Sequence, residues 1–273
     1  MIRLNDYLDR LSIIKVLSFF LFLMLIFTLI PMIFSIDLGS LFFKFLIYII
    51  MLLFFFYKFK KMDLGEKSED SFLFALKNDF NSLFEVSGIY NISFIVIANI
   101  LFVSAIYFVL KYFSNLSLIS FDSPLFGDFS SISISVLILY FLTIVILSPI
   151  IEEVLFRGIF LRRFNKALNN ISLAILLSSL LFGICHNFGG ILGAILFGIC
   201  VSILYIKSKN ILVPIFAHFL NNILSFLLAL SGAEHFIQGN FIAVILIIVL
   251  AVVSNFVLFK SILNEWPKNM AWN

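Results

Sequence analysis

The sequence predicts an all-α fold: a polytopic membrane helix bundle of about eight transmembrane helices, with the N- and C-termini cytoplasmic. Three observations predict it. Of the 273 residues, 63% are hydrophobic and 12% charged, where a soluble domain has about 45–50% and about 25%. Mean hydropathy is +1.18. Apolar runs of about 20 residues, enough to cross a bilayer, recur along the chain. One water-facing core could not hide that much apolar surface, so the solvent must be largely lipid. The same composition excludes disordered, coiled-coil and disulfide-rich secreted classes. The net charge of +3 is clustered rather than spread. By itself it says little about partners; the expected ones are the lipid bilayer and no nucleic acid.

Residues 1–15 form a mixed-charge lead-in suited to the membrane surface. Eight apolar runs follow, at about 16–36, 39–57, 90–110, 132–151, 171–187, 190–206, 211–230 and 240–260. The first is too long for a signal peptide and no A-x-A-like site follows it, so it reads as a retained helix. The longest loop, 58–89, opens with Lys58, Lys60 and Lys61 and continues through Glu66, Glu69 and Asp70. Its second half spaces apolar residues at helical intervals, which predicts an interfacial helix. The loop at 111–131 is rich in Ser and Asp, with Pro124 and Gly127 as turn formers. The organisation read from this is an N-terminal transmembrane part (1–130) with its cytoplasmic interfacial loop, a transmembrane core (131–260) and a short cytoplasmic tail (261–273), all in one bundle.

Lys and Arg set the orientation. With the N-terminus inside, 16 of the 18 basic residues fall in segments that alternate to the same side, from Arg3 to Lys268. Lys111 faces the other side, and Lys44 lies within the second helix. A missed or invented helix would break that alternation.

Ionisable residues inside membrane segments are functional candidates by default. Three clusters qualify. The first is S-P-I-I-E-E-V-L-F-R-G at 148–158. Glu152 and Glu153 point about 100° apart on a helix and so cannot do one job. Arg157 lies one turn after Glu153 and can pair with it, leaving Glu152 for general-base work. A charge cluster marking the cytoplasmic boundary would look the same, since Arg162 and Arg163 follow. The second is F-G-I-C-H at 182–186, ahead of Gly189 and Gly190. His186 could be a turn residue or a catalytic one. The third is H-F-L-N-N at 218–222, where His218 and Asn222 share a helix face. Both can donate to a developing oxyanion, and both could equally bond across helices as packing. His235 reads as a solvated loop residue. Counted from Arg162, Asn210 and Ser172 at the inner surface, Glu152 and His218 sit about 15 Å and 12 Å deep, while His186 sits about 21 Å deep, a mismatch for a shared site.

A catalytic zinc needs about three protein ligands, and Glu152, His186 and His218 could supply them. There is no HExxH motif, so zinc is possible without being required. Cys185 and Cys200 lie in apolar runs and form no disulfide framework or metal knuckle.

Read in order, Glu152-Glu153-x-x-x-Arg157, Phe182-x-x-x-His186 and His218-x-x-x-Asn222 resemble the motifs of the CPBP family of intramembrane proteases, also called Abi or CAAX-protease-like. Pro149, Phe156-Arg157-Gly158 and L-V-P-I-F-A-H agree as flanks, and the resemblance covers about 145–225. It implies an intramembrane endopeptidase of glutamate type, formerly classed with the metalloproteases. Glu152 would activate water, His186 would help to hold it, and His218 with Asn222 would form the oxyanion site. Glu153, Arg157 and Phe182 would support them, with no metal required. The partner would be a membrane-embedded peptide or protein. A chain this rich in Phe, Ile, Asn and Lys suits the cell membrane of an AT-rich bacterium, where a prenylated substrate is not expected. Two rival classes stand beside the enzyme. One is a non-catalytic membrane protein for bacteriocin self-immunity or scaffolding. The other is a transporter, against which the polar residues gather at one site without a matching second set.

Overall fold

In the computed structural model the described residues are 2–34, 39–62, 71–84, 89–121, 124–125, 129 and 132–267. Among them the chain is helical throughout, with no strand. Glu66, Lys67, Glu69, Asp70, Gly127 and Lys268 lie outside the described residues.

A short helix α1 (Leu4–Arg10) meets α2 (Ile13–Phe34) at an 83° bend. The helices α3 (Ser40–Met62) and α5 (Ile89–Asn115) are long and apolar, and between them α4 (Phe72–Asn81) is capped by the Ser71 hydroxyl. The continuous helix α6 covers Ile134–Leu168. Next come α7 (Ile171–Ile184), α8 (Ile191–Ser208), α9 (Leu212–Leu230), the short α10 (Ala233–Gln238) and α11 (Phe241–Glu265). Among the described residues, six helices are long and apolar enough to cross a membrane, and the bent α1–α2 pair makes a seventh. The eighth expected span is α7, an apolar helix of 14 residues. Helices therefore stand at all eight expected places.

Three boundaries depart from the sequence reading. The run expected at 132–151 belongs to a helix that continues to Leu168, because Arg162, Arg163 and Lys166 favour helix as well as water. It stops where Asn169 turns left-handed (φ 47°) and Asn170 caps α7. The span expected at 171–187 ends at Ile184, so His186 follows the helix. The tail expected from 261 is helical as far as Glu265.

The polar ends sort by side. At one end Arg3 pairs with Asp79, and the Asp79 and Asn5 side chains tie α1 to α4 and to the Lys209 turn. Arg162 pairs with Asp9, Arg163 donates to the Leu11 carbonyl, and Lys207 pairs with Glu265. Burial pushes the Asp79 carboxyl up to about 6, despite donation from the Leu4 amide and the charge of Arg3. At the other end Glu234 accepts from the Tyr107 hydroxyl and from the Leu125 amide. That places His235 on α10 rather than in a loop. The segments expected on one side of the membrane are thus in mutual contact, as are those expected on the other.

Candidate active site

The middle of α6 is not a plain α-helix. Residues Phe141–Leu147 and Val154–Leu161 are π-helical, with the α-helical Ser148–Glu153 between them. Such wide turns are often found at functional sites, because they rotate the following residues to a new face. Pro149 has a physical share in this. It has no N–H, and the Ser148 amide already bonds five residues back, to Thr143. In that register the next carbonyl, Ile144, lacks its helical donor. The Asn222 side-chain amide donates to it at 2.8 Å.

The two glutamates of α6 diverge as their spacing requires. Glu153 faces inward, fully buried, and its Oε1 accepts from Arg157 at 2.8 Å and from His218 Nδ1 at 2.9 Å. Arg157 is equally buried, with its guanidinium carbon 4.5 Å from the centre of the Phe182 ring. A Cβ on Gly198 of α8 would stand 3.1 Å from Arg157 Nη2 and 3.0 Å from Ser179 Cβ, so that glycine makes room for the guanidinium. Glu152 faces α3. Its Oε1 accepts from the Tyr48 hydroxyl at 2.6 Å and from the Ser148 hydroxyl. The i,i+4 pairing of Glu153 left Glu152 for general-base work, and the structure adds a partner that local spacing does not show: Tyr48 reaches that carboxylate from the second long helix. The signal for Tyr48 was slight: a hydroxyl one turn after Lys44 in an otherwise apolar run.

Phe182 is where the three motifs meet. Its ring centre lies 4.7 Å from that of His186 and 5.6 Å from that of His218. Phe197 closes on His218 from α8 at 5.8 Å. Between Glu152 and His186 the depth mismatch closes, and His218 joins them through Phe182 and Glu153. With α6 running to Leu168, Glu152 lies about 24 Å from the α6–α7 turn and His186 about 22 Å from its other side.

Ring-nitrogen roles follow from the partners. A carbonyl can only accept, so His186 Nδ1, 2.8 Å from the Phe182 carbonyl, carries the hydrogen and Nε2 is the acceptor in the neutral ring. His218 Nδ1 donates to the Glu153 carboxylate, leaving Nε2 for the site. Asn221, next to Asn222, accepts from Asn99 of α5 at 3.1 Å and so ties helices together. Among the described residues no three His, Cys, Asp or Glu side chains come together as a metal-binding group. Glu152, His186 and His218, the set considered for zinc, are not gathered as such a group.

Comparison with known proteins bears on the same stretch. Residues 134–224 match the family described as "Type II CAAX prenyl endopeptidase Rce1-like". A Bacillus subtilis (strain 168) protein named "Putative membrane peptidase YdiL" is 33% identical over 94 residues, which are 34% of this chain and 38% of that protein. The chain thus aligns with little more than a third of its relative's length. No solved structure matches.

Proposed function

Residues 134–224 carry the sequence of the Rce1-like family, and from that premise we propose that this chain is an intramembrane endopeptidase of glutamate type. The observation that carries the reading is the Glu152 carboxylate. Its Oε1 is engaged by two hydroxyls, and the histidines of the other two motifs gather about Phe182, which packs on Phe156 of the same helix α6. A water in that space gives one proton to Glu152 Oε2 and directs its other hydrogen to His186 Nε2. Its oxygen attacks the peptide carbonyl carbon. The negative charge that forms on the carbonyl oxygen is met by a hydrogen-bond donor at His218 Nε2, the ring being held by Glu153 through Nδ1, and by the Asn222 amide. Collapse breaks the C–N bond, and Glu152 returns its proton to the leaving amine. No metal takes part in this sequence of steps.

The substrate class is a peptide or protein held in the membrane, and peptide maturation, self-immunity and membrane-protein processing are all compatible with it. The test is a comparison of membrane peptides from cells making the wild type or Glu152→Gln. New chain termini that appear only with the wild type support the peptidase. A cellular phenotype that Glu152→Gln retains in full, with no new termini, favours the scaffolding reading.

A further inference from the structure

Tyr48 enters the site from α3, outside the family-matched stretch of 134–224. It is 7% exposed, and its hydroxyl donates to Glu152 Oε1 at 2.6 Å. Ser148, one turn before Glu152, donates to the same oxygen. A carboxylate oxygen has two lone pairs, and both of those on Oε1 are therefore engaged. Among the described residues none donates to Oε2. On the same face of α3, one turn earlier, the Lys44 ammonium lies 5.3 Å from the centre of the Tyr48 ring. That packing holds the phenol where it meets the carboxylate.

We infer that Tyr48 is a positioning residue for the proposed hydrolysis: it pins Glu152 by Oε1, so that Oε2 alone receives the proton from water. The inference rests on the peptidase reading for its reaction, and on geometry alone for the grip itself. Two donors on one oxygen make that oxygen a poor proton acceptor and fix the plane of the carboxylate. Proton transfer then has one direction instead of several. The third member of this grip, Ser148, lies in the motif that the family covers, whereas Tyr48 is supplied by the N-terminal half of the chain.

The test uses the full chain in proteoliposomes with a quenched-fluorescence peptide carrying a single apolar span. Tyr48→Phe keeps the ring and removes the donor. Turnover is expected to fall roughly 10- to 100-fold, with KM little changed, because Tyr48 acts through Glu152. A carboxylate that loses a donor holds its proton more firmly, so the acidic limb of the pH–rate profile moves up by about one unit. Ser148→Ala, which removes the other donor, moves it the same way. A second readout does not depend on turnover: the pH-difference infrared band that disappears in Glu152→Gln titrates at higher pH in Tyr48→Phe. An unmoved pH limb and an unmoved band in folded Tyr48→Phe overturn the inference, even if Glu152→Gln is inactive. Activity retained by Glu152→Gln instead overturns the peptidase mechanism, and the infrared band still decides whether Tyr48 grips Glu152.

Discussion

His218 Nδ1 lies 2.9 Å from Glu153 Oε1, so the histidine of the third motif leans on the second of the paired glutamates and not on the first. Glu153 thereby holds two partners at once, with Arg157 on the same oxygen. All three side chains are buried within the bundle.

A buried charge that loses its partner is costly. Glu153→Leu should destabilise the protein by about 3–5 kcal/mol, because Arg157 is left uncompensated. The double change Glu153→Leu with Arg157→Met should recover most of that stability, as apolar replacement of a buried pair often does. Turnover should stay low in both, since His218 has lost the acceptor that orients it. Unfolding in detergent micelles and peptide cleavage, measured on the same samples, check the two halves separately.

Gly198 makes a sharper steric prediction. Its missing Cβ would press on Ser179 Cβ and Arg157 Nη2 at about 3 Å. Gly198→Ala should cost about 1–3 kcal/mol by overpacking and reduce turnover through the displaced guanidinium. Gly239→Ala, where the nearest atom is at 3.5 Å, should be neutral in both. Equal behaviour of the two variants in thermal unfolding would contradict the packing described.

Asn222 and Asn221 offer an internal comparison, since each change removes the same group from α9. Loss of one oxyanion donor typically lowers turnover by about 10²–10³, so Asn222→Ala should do so per folded molecule, with substrate binding nearly intact. It should also cost some stability, because the Ile144 carbonyl loses its donor. Asn221→Ala removes the acceptor for Asn99 and a long donation, at 3.4 Å, to Asn222 Oδ1. It should weaken folding modestly and leave turnover near the wild-type value. Equal losses of turnover at both positions would favour packing over catalysis.

Orientation is open to direct labelling. After Cys185 and Cys200 are replaced, a cysteine at Lys77 on α4 should resist an impermeant reagent applied outside the cell. A cysteine at Asn115, near the opposite end, should react. The reverse pattern would invert the topology drawn from Lys and Arg.

Much of this was legible in the sequence, for definite reasons. Membrane spans announce themselves through hydropathy, and the divergence of Glu152 and Glu153 follows from 100° per residue. Arg157 pairs with Glu153 as the i,i+4 spacing required. Local rules could not reach contacts between distant helices. Tyr48 meets Glu152 across 104 positions, and His218 meets Glu153 across 65. The π-helical turns around Ser148–Glu153 were equally hidden. They depend on Pro149 together with a donor from Asn222, 78 positions away from the carbonyl that it serves. The extent of α6 was misjudged because basic residues end a membrane span without ending a helix.

The central claim is that Glu152 is the base that activates water. The most direct measurement is the cleavage rate of purified Glu152→Gln in liposomes, on a peptide carrying a cleavage site identified from the membrane-peptide comparison. The variant keeps the size and shape of the side chain and removes its basicity. The expected rate is at least about 10²-fold below wild type, the scale of general-base catalysis, in protein that remains folded and inserted. Cleavage at a near wild-type rate would contradict Glu152 as the base.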